Sequence, residues 1–199
     1  MRVLVACEYS GRVREAFRQQ GHDAWSCDIL PADDDSPFHY QGDVLDILYN
    51  GWDVLIAHPP CTYLTNAGAR HLYPKGQLNQ DRLALGLEAK EFFMTLYNAP
   101  IEHVCIENPI PSRIYELPPY TQIVQPYEYG HATSKKTCLW LRNLPALKPT
   151  NIVDKTTTTR KAGNWFNKGG KDRWKQRSET FQGIADAMAQ QWGILYERN

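Results

Sequence analysis

The sequence lacks the features of a membrane protein and those of a disulfide-bonded secreted protein. No apolar run approaches the roughly 18 to 20 residues that a membrane span needs, and residues 1–5 do not have the layout of a signal peptide. The five cysteines are an odd number, lie far apart and include no CxxC pair, which argues against a disulfide framework and a zinc cluster. The six histidines show no metal-ligand spacing either. We therefore expect a soluble, cytoplasmic protein without a metal site.

The sequence also has no net charge, since 22 basic residues balance 22 acidic ones. The two halves differ, however: residues 1–100 hold 8 Lys and Arg against 13 Asp and Glu, whereas residues 101–199 hold 14 against 9. Between residues 148 and 177, nine basic residues accompany only two acidic ones. A local basic patch of this kind favours contact with a nucleic-acid backbone, and a solvated loop is the alternative interpretation.

With 199 residues and 42% hydrophobic content, the chain can bury one substantial core, which predicts a single domain over residues 1–199. Short apolar runs predict strands at 3–7, 24–27, 53–57, 104–106, 122–124 and 137–141, and amphipathic segments predict helices at about 13–20, 81–97 and 179–191. This alternation predicts an α/β fold with a mostly parallel sheet and helices on both faces. The stretch 31–42 is expected to be an acidic loop, and about 143–177 a basic, irregular insert.

The most informative segment follows the predicted strand 53–57. Two prolines cannot continue a central strand, so Pro59 and Pro60 place Cys61 at the carboxyl edge of the sheet. A thiol that is held rigidly beside a cleft is suited to act as a nucleophile. The alternative is a buried cysteine in a tight turn, because a free cysteine often serves only packing.

The predicted strand 104–106 ends in a similar way, at Glu107, Asn108 and Pro109. Ligands of parallel sheets collect at the carboxyl ends of the strands, so Glu107 and Cys61 are expected to share one crevice. A partly desolvated Glu107 would keep its proton and donate it to a ring nitrogen. The alternative is an ordinary surface glutamate at the end of a strand.

Together these two motifs, in this order, resemble those of the cytosine-C5 DNA methyltransferase family, in a shortened form similar to phage or prophage members. The resemblance covers most of residues 1–141 and, more weakly, 178–192. It implies a Rossmann-like fold that uses S-adenosyl-L-methionine. In this family a Pro-Pro-Cys motif supplies the nucleophile and a Glu-Asn motif contacts the target base, which implies Cys61 and Glu107 as catalytic residues.

The resemblance also implies where the cofactor binds. The expected cofactor residues are Cys7, Glu8, Tyr9, Ser10 and Gly11 after the first strand, Asp28 and Ile29 after the second, then Asp43 and Val44, and finally His58 and Pro60. Asp28 resembles the family's acidic residue that holds the cofactor ribose, and Asp43 resembles the one that accepts from the adenine amino group. A helix-cap or loop aspartate is the alternative for either.

Further residues are implied on the substrate side. Contacts with the base or nucleic acid are expected from Pro59, Pro60, Asn108, Pro109, Arg70 and Lys75, and catalytic roles from Lys135 and Lys136, which stand where the family has arginines. The polar loop 62–80, with Arg70 and Lys75, is expected to close over the base.

The implied reaction begins when the Cys61 thiolate adds to C6 of cytosine while Glu107 donates toward N3. The methyl group then enters at C5, and the base must be flipped out or single-stranded. Three alternatives remain: a pyrimidine nucleotide or an RNA base as substrate, a noncatalytic nucleic-acid-binding relative, and methylation of an exocyclic amino group. The sequence gives no indication of the oligomeric state.

Overall fold

The computed structural model describes residues 1–154 and 178–194. Its strands are β1 (Arg2–Ala6), β2 (Asp23–Asp28), β3 (His39–Gln41), β4 (Val54–Ala57), β5 (His103–Pro109), β6 (Gln122–Val124) and β7 (Thr137–Arg142). Its α-helices are α1 (Arg12–Gln19), α2 (Asn66–Ala69), α3 (Gln80–Tyr97) and α4 (Gln182–Gly193). Within these described residues, every helix is too short or too polar to cross a membrane.

The strands form one seven-stranded sheet in the order β3-β2-β1-β4-β5-β7-β6. β1 pairs in parallel with both β2 and β4, and the β2–β3 and β4–β5 pairs are parallel as well. Only β7 runs the other way, antiparallel to β5 and to β6. The expected α/β fold with a mostly parallel sheet is confirmed. The strand order reverses between β1 and β4, and such a switch point opens a crevice at the carboxyl ends of the strands.

Two apolar layers cover the two faces of the sheet. Successive residues of a strand point to opposite faces, so Val3 and Val5 pack with α1 and α4, whereas Leu4 and Ala6 pack with the α3 side. All four of these side chains are fully buried. The predicted helices on both faces are therefore present, and their packing holds the strand ends in fixed positions.

The stretch 31–42 is not entirely a loop, because it contains β3. The buried guanidinium of Arg14 forms an ion pair with Asp34 and donates to the Ser26 hydroxyl at 2.8 Å, which fixes this segment beside β2. His39 then pairs with Ser26 in parallel register. A strand of three residues has too little apolar pattern to be recognised, and the arginine that anchors it lies elsewhere in the sequence.

β5 extends three residues beyond the predicted 104–106. Its neighbour β4 ends at Ala57, but β7 continues to pair with β5 as far as Pro109, which lies opposite Thr137. Glu107 is therefore the first residue of β5 that has no β4 residue beside it. Its side chain sits on a hydrogen-bonded strand instead of a loop, and this limits its movement.

The C-terminal helix begins at Gln182 and not near residue 179. Phe181 has extended backbone angles, so residues 178–180 precede the helix. Residues 143–154, the start of the predicted basic insert, pack on the sheet: Leu144 and Leu147 are buried, and Trp192 donates to the Pro145 carbonyl at 3.0 Å. Residues 155–177, which hold most of the predicted insert, lie outside the described residues.

Candidate active site at the carboxyl edge of the sheet

The turn after β1 is shaped by two residues with positive φ, Cys7 at 58° and Gly11 at 69°. Gly11 stands at the N-terminus of α1. A side chain there would be strained by the left-handed backbone and would collide with the guanidinium of Arg14. The turn therefore requires glycine at this one position, and it brings the backbone of residues 7–11 to the edge of the sheet.

Glu8 is buried inside this turn and binds the start of α1. Its two carboxyl oxygens accept from the backbone N–H groups of Val13 at 2.7 Å and Arg14 at 3.2 Å. These are orphan donors of the first helical turn, so Glu8 acts as a cap that reaches back from the preceding turn. Burial raises the pKa of Glu8, although nearby His58 and the two N–H donors oppose that shift.

His58 and Glu107 meet where β4 and β5 separate. His58 Nδ1 lies 2.8 Å from Glu107 Oε2, and the Thr180 hydroxyl donates to the same oxygen at 3.3 Å. Only 9% of the His58 side chain and 12% of the Glu107 side chain are exposed. The contact therefore joins two nearly buried ionisable groups from neighbouring strand ends.

The contact between His58 and Glu107 shifts the pKa of both groups. Burial acts to raise the pKa of Glu107, but the hydrogen bond and charge of His58, with Lys135 and Thr180, outweigh it and leave that pKa below its ordinary value. Burial likewise acts to lower the pKa of His58, and the bond to Glu107 and the charge of Glu8 raise it above its ordinary value. The expectation that burial raises the pKa of Glu107 considered the carboxyl group alone, because the sequence did not indicate that His58 would lie against it.

The Pro-Pro-Cys turn is tied to the Glu-Asn strand by a second bond. The buried amide of Asn108 donates from Nδ2 to the Pro59 carbonyl at 3.2 Å. Further along, Ser112 N–H donates to the Leu64 carbonyl at 2.7 Å, so the two segments continue side by side. Cys61 is exposed on this turn, and all five cysteines are thiols without a disulfide. Asn108 thus holds the turn in place through Nδ2, and its buried Oδ1 has no hydrogen-bond partner among the described residues.

A small cleft opens beside His58 and the turn after β1. Its lining consists of Cys7, Glu8, Tyr9, Ser10, His58, Ser178, Glu179 and Thr180. The first five are predicted cofactor residues, which the structure brings together. The last three were not singled out in the sequence.

Residues 178–180 are held against the cleft by the first turn and by α1. Tyr9 and Ser178 share a hydrogen bond of 3.2 Å between their hydroxyls. Arg12 forms an ion pair of 2.6 Å with Glu179 and also donates to the Thr180 carbonyl. The one sequence signal for a role of residues 178–180 at the cleft is their polar composition before an apolar helix. That composition is equally typical of a helix cap.

The other predicted cofactor residues lie around the ends of β2 and β4. Asp28 is half-buried at the end of β2, and burial raises its pKa. Ile29 is 77% exposed, which is unusual for an aliphatic side chain beside a buried strand. Asp43 is exposed and caps a short 3-10 helix by accepting from Leu45 N–H at 3.0 Å. Val44 is buried in the apolar layer on the α3 side, so its side chain serves packing.

Of the residues predicted on the substrate side, Lys135 acts on Glu107 by its charge, and several others lie on the surface of the protein. The charge of Lys135 acts to lower the pKa of Glu107, and the Lys135 ammonium lies 5.9 Å from the centre of the Phe181 ring. Lys136, Pro60, Arg70 and Lys75 are exposed, Pro59 is buried and Pro109 is half-buried. Within residues 1–154 and 178–194, no group of three His, Cys, Asp or Glu residues is arranged to hold a metal ion.

Two solved structures with a similar overall fold are methyltransferases. EhMeth of Entamoeba histolytica has 13% identity and a TM-score of 0.50, over 77% of this chain and 57% of that protein. A protein assigned as a DNA modification methyltransferase of an E. coli prophage has 15% identity and a TM-score of 0.49, over 77% of this chain and 52% of that protein. The chain thus spans little more than half the length of either. No family model and no curated protein matches it. The likeness to EhMeth supports a Rossmann-like α/β fold.

Proposed function

We propose that this chain transfers a methyl group from S-adenosyl-L-methionine to C5 of cytosine in DNA, with Cys61 as the nucleophile. One observation carries the proposal. The bonds His58–Glu107 and Asn108–Pro59 tie the Pro-Pro-Cys turn to the end of β5. An exposed thiol and a carboxyl group consequently belong to neighbouring segments at one edge of the sheet, as nucleophilic attack on a flat heterocycle requires.

The residues around the cleft fit the proposed cofactor. Nε2 of His58 is buried and has no hydrogen-bond partner among the described residues, and Glu8 lines the same cleft as His58. Such groups suit the amino-acid end of the cofactor, which carries an ammonium and a carboxylate. Asp28 would accept from the ribose hydroxyls, and the exposed Ile29 beside it would cover the adenine. When bound, S-adenosyl-L-methionine supplies an electrophilic methyl group.

Asp43 is the proposed partner of the adenine amino group. One of its oxygens caps the short helix, and its exposed side chain leaves the other oxygen to accept from a ligand. A carboxylate can serve both partners because it offers about four lone-pair sites. The aspartate would therefore act as a cap and as a ligand contact at once.

The chain's own groups would activate the base in two ways. The Cys61 sulfur forms a bond to C6, and the carboxyl group of Glu107 protonates N3, where the displaced electron pair collects. The electron-rich C5 would then form its bond to the methyl carbon as the bond between that carbon and the cofactor's sulfur breaks. Loss of the C5 proton to a base expels the Cys61 thiolate and restores the aromatic ring.

DNA is proposed as the substrate because of the charge in the C-terminal half of the chain. The charge of Lys135 acts on Glu107, and the basic stretch 148–177 follows in sequence. Phosphate groups next to the flipped base would be attracted to these cations. The cytosine would have to leave the base stack to reach the thiol.

A labelled methyl-transfer assay with mass analysis of the product nucleoside tests the proposal. Duplex DNA, single-stranded DNA, RNA and cytidine nucleotides are compared, and 5-methyl-deoxycytidine from DNA is the expected product. Cys61→Ser should abolish transfer, whereas the matched control Cys105→Ala, whose thiol is buried in the core, should remain active. Methylated RNA or nucleotide would assign a different substrate, and a methyl group on an exocyclic nitrogen would exclude the Cys61 mechanism. DNA binding without any transfer would indicate a noncatalytic relative.

A further inference from the structure

We infer that His58 and Glu107 work as one proton-sharing pair, in which His58 positions the carboxyl group and supplies the proton that N3 of the base takes. This inference rests on the proposed function. It assigns His58 a role in the chemistry, whereas the sequence indicated only a cofactor contact.

The geometry of the carboxyl group gives the first argument. His58 Nδ1 and the Thr180 hydroxyl both contact Oε2 of Glu107, at 2.8 and 3.3 Å. Both of these contacts are made to Oε2 and not to Oε1. Two contacts from different elements hold the carboxyl group through Oε2 and leave Oε1 for a ligand. His58 itself is fixed, because its backbone N–H donates to the Ala6 carbonyl at 2.9 Å.

The charges that face His58 give the second argument. Carboxyl groups approach it from three elements: Glu107 on β5, Glu8 in the turn after β1, and Asp28 at the end of β2. Lys135, in the segment before β7, is the opposing cation. Three acidic groups against one basic group favour the imidazolium form of a ring that is almost buried. The proton is thereby stored next to Glu107 instead of being lost to solvent.

The proton can then move without any outside donor. The Nδ1–H bond of His58 breaks and an O–H bond forms at Oε2, which leaves a neutral imidazole and a neutral carboxylic acid. A half-turn about the terminal Cγ–Cδ bond, whose torsion is broad and roughly two-fold, exchanges the two oxygens and presents the O–H to the base. N3 takes this proton as C6 bonds to sulfur, and the steps reverse when the sulfur leaves.

The role of His58 should be visible in the pH dependence of methyl transfer. With His58 present, the pair keeps its proton until the pH rises through the raised pKa of His58. In His58→Gln the proton must reside on Glu107 alone, and it is lost at lower pH. The alkaline limb of the rate profile should therefore move to lower pH in this variant.

The variant's rate should fall about 100-fold near pH 8 and stay within about tenfold of the wild-type rate near pH 6. The matched control is His103→Gln, which replaces another histidine beside a glutamate, at the opposite end of β5. Its profile should coincide with that of the wild-type protein. A fall by one constant factor at every pH in His58→Gln would show a structural role only and would overturn the inference, as would an unchanged profile.

A second measurement does not depend on activity. The ¹⁵N shifts of the His58 imidazole, followed during a pH titration, report its charge and tautomer directly. The pKa should lie above the ordinary histidine value and should fall in Glu107→Gln and, by less, in Glu8→Gln. An imidazole that stays neutral, or that does not respond to Glu107→Gln, would overturn the inference. If His58 titrates with Glu107 but the wild-type chain methylates no pyrimidine, the proposed function fails and the coupled pair itself is upheld.

Discussion

Replacing Glu107 by Gln should destabilise the protein by about 2 to 3 kcal/mol near pH 6, because it leaves the His58 imidazolium buried without its counter-charge. The magnitude follows from the burial of the pair, since 9% and 12% of the two side chains are exposed. Breaking a fully buried ion pair typically costs about 3 to 5 kcal/mol. The lower value is expected because the glutamine can still accept from His58 and Thr180, and because His58 can lose its proton.

The dependence of this effect on pH follows from the directions of the two pKa shifts. The pKa of His58 is raised, so its contribution to stability is complete below its unfolded pKa and disappears as the pH rises through the folded value. The pKa of Glu107 is lowered, so its contribution is complete above its unfolded pKa and disappears as the pH falls through the folded value. The pair therefore contributes fully from about pH 4.5 to about pH 6.5.

Urea unfolding of the wild-type protein and of Glu107→Gln, at about pH 5, 6, 7.5 and 9, measures the difference in the free energy of unfolding. The difference should be largest at the two lower values and should shrink toward pH 9. His103→Gln is the control, because its ring is paired with the exposed Glu102. A difference that is the same at every pH, or below about 0.5 kcal/mol throughout, would refute the reasoning that the pair is charged and buried.

Three further substitutions test other parts of the site. Asn108→Ala removes the donor to the Pro59 carbonyl, so it should lower the free energy of unfolding in urea by about 1 to 3 kcal/mol and should also reduce methyl transfer. If the free energy of unfolding and the rate of transfer are both unchanged, the bond does not hold the turn. Gly11→Ala should destabilise by at least about 1 kcal/mol because of its positive φ and its contact with Arg14, so an unchanged melting temperature would contradict the described turn. Asp28→Asn should weaken S-adenosyl-L-methionine binding about tenfold or more in calorimetry, and an unaltered affinity would exclude the ribose contact.

The parts of the fold that local pattern determines could be predicted from the sequence. The run Val3–Ala6 is apolar and β-branched, and the prolines after Ala57 end a strand in any context. The prediction that Cys61 lies at the carboxyl edge of the sheet depended only on these features, and the structure has Cys61 on the turn that follows β4.

The parts that depend on distant contacts could not be predicted. β3 forms because Arg14 anchors Asp34, and β5 extends to Pro109 because β7 pairs with it. The bond between Thr180 and Glu107 joins residues that are 73 positions apart. The lowered pKa of Glu107 also depends on a distant contact, since local sequence indicates burial but does not show that His58 will lie against the carboxyl group.

The central claim, a bond between Cys61 and C6 of cytosine, can be tested with DNA in which every cytosine carries fluorine at C5. Fluorine cannot leave as a proton, so the adduct that normally resolves after methyl transfer should persist. The protein is incubated with S-adenosyl-L-methionine and a random-sequence duplex of this kind, digested, and analysed by peptide mass spectrometry. The account predicts a methylated fluorocytosine nucleotide attached to the peptide that contains Cys61. Transfer of methyl groups to C5 of ordinary cytosine without any such attachment at Cys61 would contradict it.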